Sequence, residues 1–488
     1  MKQEQNLLTG SVPKKLVIFA LPLFLANLLQ ALYNVADMLV VGKIVGETGL
    51  AAISNASMLC FIINSLCIGL TMGGSVLVAQ QKGAHDLKGQ QEIIGTLFLL
   101  SLTASVLITL LGLAVYGPLF QILNIPADTY QAACDYMKII CWGTVFIFGY
   151  HTVCSILKGL GDSKTPLFFV AIATFINVLL DLVFVGPFSL GTAGAAYATI
   201  IAQGISFAAS IVYLWRHKLA FPVEKITFQS KTLFSILKIG LPAAIQMVVV
   251  NTAYLLVTGM LNQFGTSVAA ASGVGLKINT FAGMPCWAVG QATTAMVGQC
   301  MGAGRRESVR KVVRYGLLLN LAVTTVVVVA VQFLAEPLIL LFGDTSSEVV
   351  RDGVLYLRIC CSMNSFVYAA MYTLDSFAIG VGAAHVAMVN ALLDTVFVRL
   401  PVGWLLAFSL HMGFPGIYLG QALSPVLPAF VGLIYFKSKA WEKRVPVRKA
   451  LDRRSPDSAV STVLRNHPAE EGKRTNLSTD GRPPRRSI

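Results

Sequence analysis

Charged residues are scarce in this sequence. Asp, Glu, Lys and Arg make up only 12% of the 488 residues, whereas 55% are hydrophobic and the mean hydropathy is +0.71. A soluble domain carries about 25% charged residues, so this chain has too few polar side chains to cover a water-facing surface. Its many apolar runs of about twenty residues can each cross a hydrocarbon layer about 30 Å thick. They predict an all-α polytopic membrane protein.

Motifs for catalysis and nucleotide binding are also missing. The chain has no HExxH, no GxSxG and no GxxxxGK[ST], and its six His are scattered. These absences argue against an intramembrane enzyme and against a nucleotide-driven pump. The nine Cys form no CxxC pair and lie mostly in apolar runs, which favours small packing residues over metal or redox sites. We therefore expect a protein that is not an enzyme and that needs no cofactor.

The apolar runs predict twelve transmembrane helices. They fall at 16–41, 53–80, 92–115, 130–157, 165–187, 192–215, 234–262, 268–299, 312–335, 349–379, 385–409 and 415–436. Lys and Arg cluster before the first span and in the loops after even-numbered spans. Because these residues resist translocation, that side is expected to be cytoplasmic, with both termini inside.

The same pattern predicts the boundaries outside the spans. Residues 1–15 form a cytoplasmic N-terminus, and 217–233 form a cytoplasmic connector. Residues 438–488 are basic and rich in Arg, Pro and Ser without a packable face, which predicts a disordered cytoplasmic tail. A nucleic-acid partner is a less natural explanation of the net charge of +14 than membrane topology is.

The chain contains an internal repeat. "NVLLDLVFV" (177–185) returns as "NALLDTVFV" (390–398), and "VAQQKGA" (78–84) returns as "VGQCMGA" (297–303). Six spans are thus followed by six similar spans, giving an N-lobe (16–216) and a C-lobe (234–437). Because six is even, both lobes enter the membrane in the same orientation, and the pseudo-twofold axis lies along the membrane normal. Parallel repeats of this kind are a recurring transporter architecture, with a cleft between two lobes that rock.

Four acids fall well inside predicted spans: Asp37, Asp181, Asp375 and Asp394. An ionised carboxylate is costly in hydrocarbon, so each must face a cavity, pair with a partner or take up a proton. Asp37 shares one helical face with three amides, since the four residues are spaced 3, 4 and 3 apart. The amides of this polar stripe are Asn27, Gln30 and Asn34.

Two further spans offer polar groups at a similar depth. Asn177 and Asp181 are four residues apart on one face, and Thr199 lies in the next span. With Asp37 they form a candidate site for one proton, or for Na⁺ held by carboxylate, amide and hydroxyl oxygens. Pro22 lies fifteen residues before Asp37. It is either a fixed kink or a hinge whose angle responds to protonation of Asp37.

The C-lobe candidates are Asp375, Asn390 and Asp394, for which a structural hydrogen bond and a functional role are both open. Lys277 and Arg399 also lie deep within spans. We expect them to pair with acids or carbonyls of the C-lobe, with Asp394 as the nearest candidate.

These segments resemble the multidrug and toxic compound extrusion (MATE) family, in particular its bacterial DinF-like branch. The resemblance is carried by "LTGSVPKKLVIFALPLFLANLLQALYNVADMLVVGKIVG", the "VAQQKGA"/"VGQCMGA" pair, "LKGLGDSKTP" and "NVLLD". It implies a two-lobed exporter of the bacterial cytoplasmic membrane, driven by inward H⁺ or Na⁺, with cationic, lipophilic drugs as substrates. It also implies that Asp37, Asn177, Asp181 and Thr199 form the ion-coupling site and that Pro22 is the bending proline.

One departure concerns the C-lobe. Some family members carry coupling acids on the seventh and tenth spans, but here Val257 stands where the repeat would match Asp37. We therefore expect a monomeric antiporter whose ion site lies in the N-lobe. The alternative is a lipid-linked glycan flippase of the same superfamily. The acidic cleft groups favour small organic cations over its pyrophosphate-bearing cargo.

Overall fold

The computed structural model describes residues 10–122, 125–217, 229–341 and 346–444, and these residues are almost entirely helical. Twelve helical segments follow one another in alternating direction. They are α1 (Val12–Ile44), α2 (Glu47–Gly83), α3 (Leu87–Ile122), α4 (Ala127–Leu160), α5 (Lys164–Val185), α6 (Gly191–Arg216), α7 (Ser230–Asn262), α8 (Thr266–Gly302), α9 (Arg306–Leu340), α10 (Ser347–Cys360 and Met363–Gly380), α11 (Ala384–Ser409) and α12 (Phe414–Lys437). The chain is thus an all-α polytopic membrane protein, as its composition predicts.

Within the described residues, ten helices are long and apolar enough to span a membrane, and the bent pair in α10 makes eleven. The two parts of α10 meet at 50°. The remaining helix, α8, is 37 residues long, so length does not limit it. Its sequence is rich in Gly and Thr and contains Lys277, which lowers its hydropathy and indicates a helix that is not surrounded by lipid.

The two halves of the chain, α1–α6 and α7–α12, form two lobes of six helices. Glycines with positive φ recur at matching turns in both lobes: Gly46 (φ 89°) and Gly265 (φ 103°) precede α2 and α8, and Gly191 (φ 57°) and Gly413 (φ 66°) adjoin the starts of α6 and α12. Because residues other than glycine rarely adopt this backbone conformation, the recurrence means that both lobes use the same turns. The internal repeat is therefore a repeat of structure.

Packing between the lobes is concentrated at one side of the bundle. We call the side where α1 begins the terminal side and the side where α1 ends the far side. On the terminal side, Leu16 and Phe19 of α1 share a hydrophobic cluster with Val297 and Phe377 of the C-lobe. On the far side, the described residues form two separate clusters, one within α1–α6 and one within α7–α12. The lobes therefore enclose a cleft that opens to the far side.

Glycines let the lobes approach closely on the terminal side. A Cβ atom on Gly302 would lie 1.7 Å from the carbonyl oxygen of Gln80, and one on Gly83 would lie 1.9 Å from that of Gln299. Hydrogen bonds reinforce the contact: the Gln299 amide donates to the Gly159 carbonyl oxygen at 3.1 Å, and Lys158 Nζ donates to Gln291 Oε1 at 3.1 Å. Gly83 and Gly302 occupy matching positions in the repeated "KGA" and "MGA" segments.

Gly302→Ala is expected to destabilise this contact. The added methyl group would clash with the backbone of α2. Overpacking of this kind lowers the free energy of unfolding by about 1–3 kcal/mol. We expect a lower unfolding temperature of the purified protein in detergent. Gly259→Ala is the matched control, because a Cβ atom on this exposed α7 glycine meets nothing within 4 Å. Equal unfolding temperatures for the two variants would contradict the packing argument.

The folded chain extends past the boundary predicted for the tail. Residues Ala440–Lys443 form a 3₁₀ turn, and the Trp441 ring is completely buried against Phe377 and Phe436. Arg444 donates a hydrogen bond to the Gly382 carbonyl oxygen. The prediction of disorder from residue 438 is thus wrong for 438–444, because one large aromatic side chain is enough to hold a short segment on the core. The rest of the predicted tail and most of the predicted connector (217–233) lie outside the described residues.

Candidate functional site

Helices α1, α5 and α6 bring four predicted site residues together in the far half of the N-lobe. Asp181 and Asn177 of α5 are completely buried, and Asp37 of α1 and Thr199 of α6 are 7% and 9% exposed. The i, i+4 spacing of Asn177 and Asp181 directs both side chains from α5 toward its neighbours. Three helices distant in sequence therefore supply one polar cluster inside an otherwise apolar lobe.

Few hydrogen bonds hold this cluster. The Asn177 amide lies 3.5 Å from Thr199 Oγ1, as a weak donor. The Tyr33 hydroxyl lies 3.1 Å from the same oxygen. Among the described residues, no hydrogen bond joins the carboxyl groups of Asp37 and Asp181.

Several acceptor atoms of the cluster have no donor. Both carboxyl oxygens of Asp181, Oδ1 of Asp37 and Oδ1 of Asn177 are buried without a hydrogen-bond partner among the described residues. Buried polar atoms are normally paired, so acceptors gathered in one place indicate a site for a missing positive charge or donor. Two carboxyl groups, an amide oxygen and a hydroxyl can together hold a proton or a hard cation such as Na⁺. The site is thus suited to bind a proton or Na⁺.

A cavity adjoins the cluster between α1, α4, α5 and α6. Its polar lining comes from residues on all four helices, and the remaining wall is apolar. The lining residues are Gln30, Tyr33, Tyr150, Val170, Ala173, Thr174, Asn177, Thr199, Ala202 and Gln203. This cavity connects Asn177 and Thr199 of the cluster with Gln30, whose side chain is exposed.

Two residues of the site were not predicted from the sequence. Tyr33 stands three residues after Gln30 and four before Asp37, so it borders the polar stripe, and this spacing could have found it. Gln203 follows Thr199 by four residues on α6, and its buried Oε1 also lacks a partner. That i, i+4 relation is the signal that could have found it.

The polar stripe divides between the cavity and the cleft. Asn34 and Gln30 are exposed, whereas Asn27 is half-buried with an unpaired Nδ2. Pro22 is buried inside α1, which continues as one helix from Val12 to Ile44. Asn27, the first residue of the stripe, lies one turn after Leu23. Because Leu23 packs on the C-lobe, the start of the stripe faces the C-lobe.

The acids of the C-lobe are paired differently. Asn390 Nδ2 donates to Asp375 Oδ1 at 2.6 Å, and Arg399 Nη2 contacts Asp394 Oδ2 at 2.7 Å. The Arg399 guanidinium also lies over the Tyr254 ring, 4.9 Å from its centroid. The expected pairing of Arg399 with Asp394 is confirmed. Asp394 and Arg399 lie within the π-helical stretch Leu393–Arg399 of α11, and Asn390 lies just before it.

The same expectation for Lys277 is wrong. Lys277 is exposed, and within the described residues it has no ion pair or hydrogen bond. It lies on the face of α8 turned away from the interior of the C-lobe, where no acid of that lobe reaches it. Val257 is buried in the apolar far-side cluster of the C-lobe, so the lobe does not reproduce the paired carboxyl groups of the N-lobe.

Comparisons with known proteins agree with this architecture. The family model described as MatE matches residues 22–183 and 242–405, one segment in each lobe. The probable multidrug resistance protein YpnP of Bacillus subtilis (strain 168) is 30% identical over 434 residues, which cover 89% of this chain and 96% of that protein. The FAD transporter of Shewanella oneidensis is 24% identical over 450 residues, covering 87% of this chain and 97% of its own length.

A solved structure shares the fold. The outward-facing conformation of a multidrug resistance MATE family transporter of the MOP superfamily superposes with a TM-score of 0.86 and 21% sequence identity. The match covers 91% of this chain and all of that chain. At this identity the likeness establishes the arrangement of the helices.

Proposed function

Because the chain belongs to the MatE family of multidrug efflux transporters, we propose that it exports organic compounds in exchange for H⁺ or Na⁺ bound between Asp37 and Asp181. The protein is a multi-pass membrane transporter of bacterial type and not an enzyme. The observation that carries the ion-coupled proposal is the buried cluster of acceptor atoms without donors in the N-lobe.

Coupling requires the ion to bind one conformation more tightly than the other. In the conformation described here, α1 connects the ion site to the contact between the lobes. Asp37 lies near its far end, and Leu16, Phe19 and Leu23 near its start pack in the cluster shared with the C-lobe. We propose that loading Asp37 changes the bend of α1 at Pro22 and thereby loosens the terminal-side contact. The cleft would then open to the opposite side.

The proposed orientation places the terminal side in the cytoplasm. Basic residues flank that side of the bundle, including Arg305, Arg306 and Arg310 at the start of α9. The excess of Lys and Arg favours retention of these ends inside a bacterial cytoplasmic membrane. The far side would then face outward, and the cleft described here would be the state that releases cargo.

The cargo proposed is an amphiphilic, aromatic organic compound. YpnP is named for multidrug resistance, and the Shewanella oneidensis relative is named for FAD, so relatives of this fold carry names for quite different compounds. In this chain α8 carries Trp287, whose indole donates to the Tyr368 hydroxyl at 3.0 Å. Aromatic surfaces of this kind bind planar ligands with little demand on exact shape.

Ethidium efflux from reconstituted vesicles tests the proposal. An inward pH gradient and an inward Na⁺ gradient are imposed separately, and we expect one of them to accelerate efflux well above that of vesicles without a gradient. If neither gradient drives transport, the ion-coupled exporter is wrong and a flippase of the same superfamily gains support.

A further inference from the structure

Lys277 takes no part in the ion site or in the contact between the lobes. It follows Thr266 by eleven residues in α8, which places it about 16 Å from the far end of the helix at about 1.5 Å per residue. Its side chain is exposed and has no partner within the described residues. An ionisable residue at this depth is costly unless it faces water or a ligand.

The direction of Lys277 follows from its neighbours further along α8. Gln291, Gly298 and Gly302 follow it by 14, 21 and 25 residues, each close to a whole number of turns at about 3.6 residues per turn. All three touch the N-lobe: Gln291 accepts from Lys158, Gly298 packs against Ala79, and Gly302 packs against Gln80. Before Pro285, Gly275 packs on Tyr356 and Ile278 lies in the far-side cluster of the C-lobe, so Lys277 is on the face of α8 turned away from the C-lobe interior. Continued across Pro285, this is the face that contacts the N-lobe.

The acids within the N-lobe spans do not pair with Lys277. Asp37 and Asp181 are withdrawn into the lobe, at 7% and 0% exposure, and α1 exposes the amides of Gln30 and Asn34. Among the described residues, no acid forms an ion pair with Lys277.

The acids of the C-lobe do not neutralise Lys277 either. Asp394 is paired with Arg399, and Asp375 is bound by Asn390 inside the lobe. Both acids are at most 4% exposed, so neither reaches the cleft surface from which Lys277 projects.

An aromatic ring lies further along α8, about 80° around the helix from Lys277. Trp287 is ten residues beyond Lys277, and its ring packs back over Gly283, 3.5 Å from the Cβ position there. The ring is thereby tilted toward Lys277 and the open side. A cation and a flat apolar ring, separated by no more than about 15 Å along the helix, complement an elongated aromatic compound that bears an anionic group.

We propose that Lys277 is the cargo-recognition residue of the cleft and that it binds a carboxylate on an aromatic cargo molecule. The inference rests on the proposed function, because it names the class of cargo. It adds zwitterionic and anionic aromatic compounds to the organic cations that the sequence predicts as cargo. A charge-assisted hydrogen bond from the ammonium group to the carboxylate supplies the selectivity.

Binding of two matched dyes tests this proposal. The probes are a zwitterionic rhodamine with a free carboxylate and its methyl ester, which differ only at the group that Lys277 is proposed to contact. Binding to the purified protein in detergent is followed by fluorescence polarisation. We expect the wild-type protein to prefer the free acid roughly tenfold, the equivalent of one charge-assisted hydrogen bond. Lys277→Gln is expected to abolish the preference and to leave ester binding unchanged, and Lys277→Arg is expected to retain it.

Lys138→Gln is the matched control. Lys138 also stands eleven residues into its helix, α4, and is exposed. It precedes Lys158 by 20 residues, about five and a half turns, so it points away from the C-lobe. This variant should keep the preference for the free acid. Equal loss of both dyes in Lys277→Gln, or a wild-type protein that binds the ester as well as the acid, would overturn the proposal.

The readout is independent of ion coupling. Binding in detergent involves no gradient, so the dye preference can hold even if Asp37 and Asp181 bind no coupling ion. Conversely, gradient-driven ethidium efflux can succeed while the dye preference is absent. The two failures are thus distinguishable.

Discussion

Asp37→Asn and Asp181→Asn are each expected to reduce gradient-driven efflux to the level of vesicles without protein, a loss of about 100-fold or more. An ion drives transport only if its binding differs between the two conformations. Asparagine keeps the size of the side chain but removes the exchangeable charge that draws a cation into the N-lobe. Ethidium efflux from vesicles, with the driving gradient imposed, measures the effect.

The control for this prediction is Asp135→Asn. Asp135 belongs to the same lobe but is exposed on α4, where it accepts a hydrogen bond from Gln131. Efflux by this variant should match that of the wild-type protein. Unfolding temperatures in detergent establish that all three variants are folded. Folded Asp37→Asn and Asp181→Asn proteins with near-normal efflux would remove the ion site from the proposed mechanism.

Arg399→Leu is expected to cost about 3–5 kcal/mol of stability, the typical penalty for breaking a buried ion pair from one side. The guanidinium contacts Asp394 at 2.7 Å, and the two side chains are only 7% and 4% exposed. Removing it leaves the Asp394 carboxylate buried without a counter-ion and also loses the stacking on Tyr254. We expect a strongly lowered unfolding temperature in detergent and poor expression.

The double variant Arg399→Leu/Asp394→Leu separates charge from packing. Replacing both partners of a buried pair with apolar residues is often neutral, so much of the lost stability should return. If the double variant is as unstable as Arg399→Leu alone, the loss comes from packing around the π-helical stretch of α11 and the ion-pair explanation is wrong.

The candidate site could be predicted in outline because its signals are local. Asp37 and Asp181 stand out in apolar runs, and the spacing of Asn177 and Asp181 puts both on one face of a helix. Tyr33 shares a helical face with Gln30 and Asp37, but its contact with Thr199, 166 residues away along the chain, is visible only in the fold. The absence of donors around Asp181 is likewise invisible in a sequence, since it depends on what every neighbouring helix fails to supply.

Lys277 and Arg399 show where prediction from sequence stops. Both are basic residues deep in C-lobe spans, and the sequence treats them alike. Arg399 lies five residues from Asp394 on the same segment, and the π-helical turn between them lets the two side chains meet inside the lobe. Lys277 points from α8 into the cleft, away from every described acid of its lobe. The two residues therefore differ because α11 turns Arg399 toward the interior of the C-lobe, whereas α8 turns Lys277 away from it.

Hydropathy, periodicity and repetition are properties of short segments. They are therefore enough to predict a membrane protein with two similar sets of six helices and with carboxyl groups inside the first set. Which helix faces meet can be read only from the folded chain, as can the closing of the lobes on the terminal side and the exposure of Lys277 without a partner among the described residues. Those features depend on helix packing, in which glycines and small side chains set how closely and at what rotation distant segments can approach.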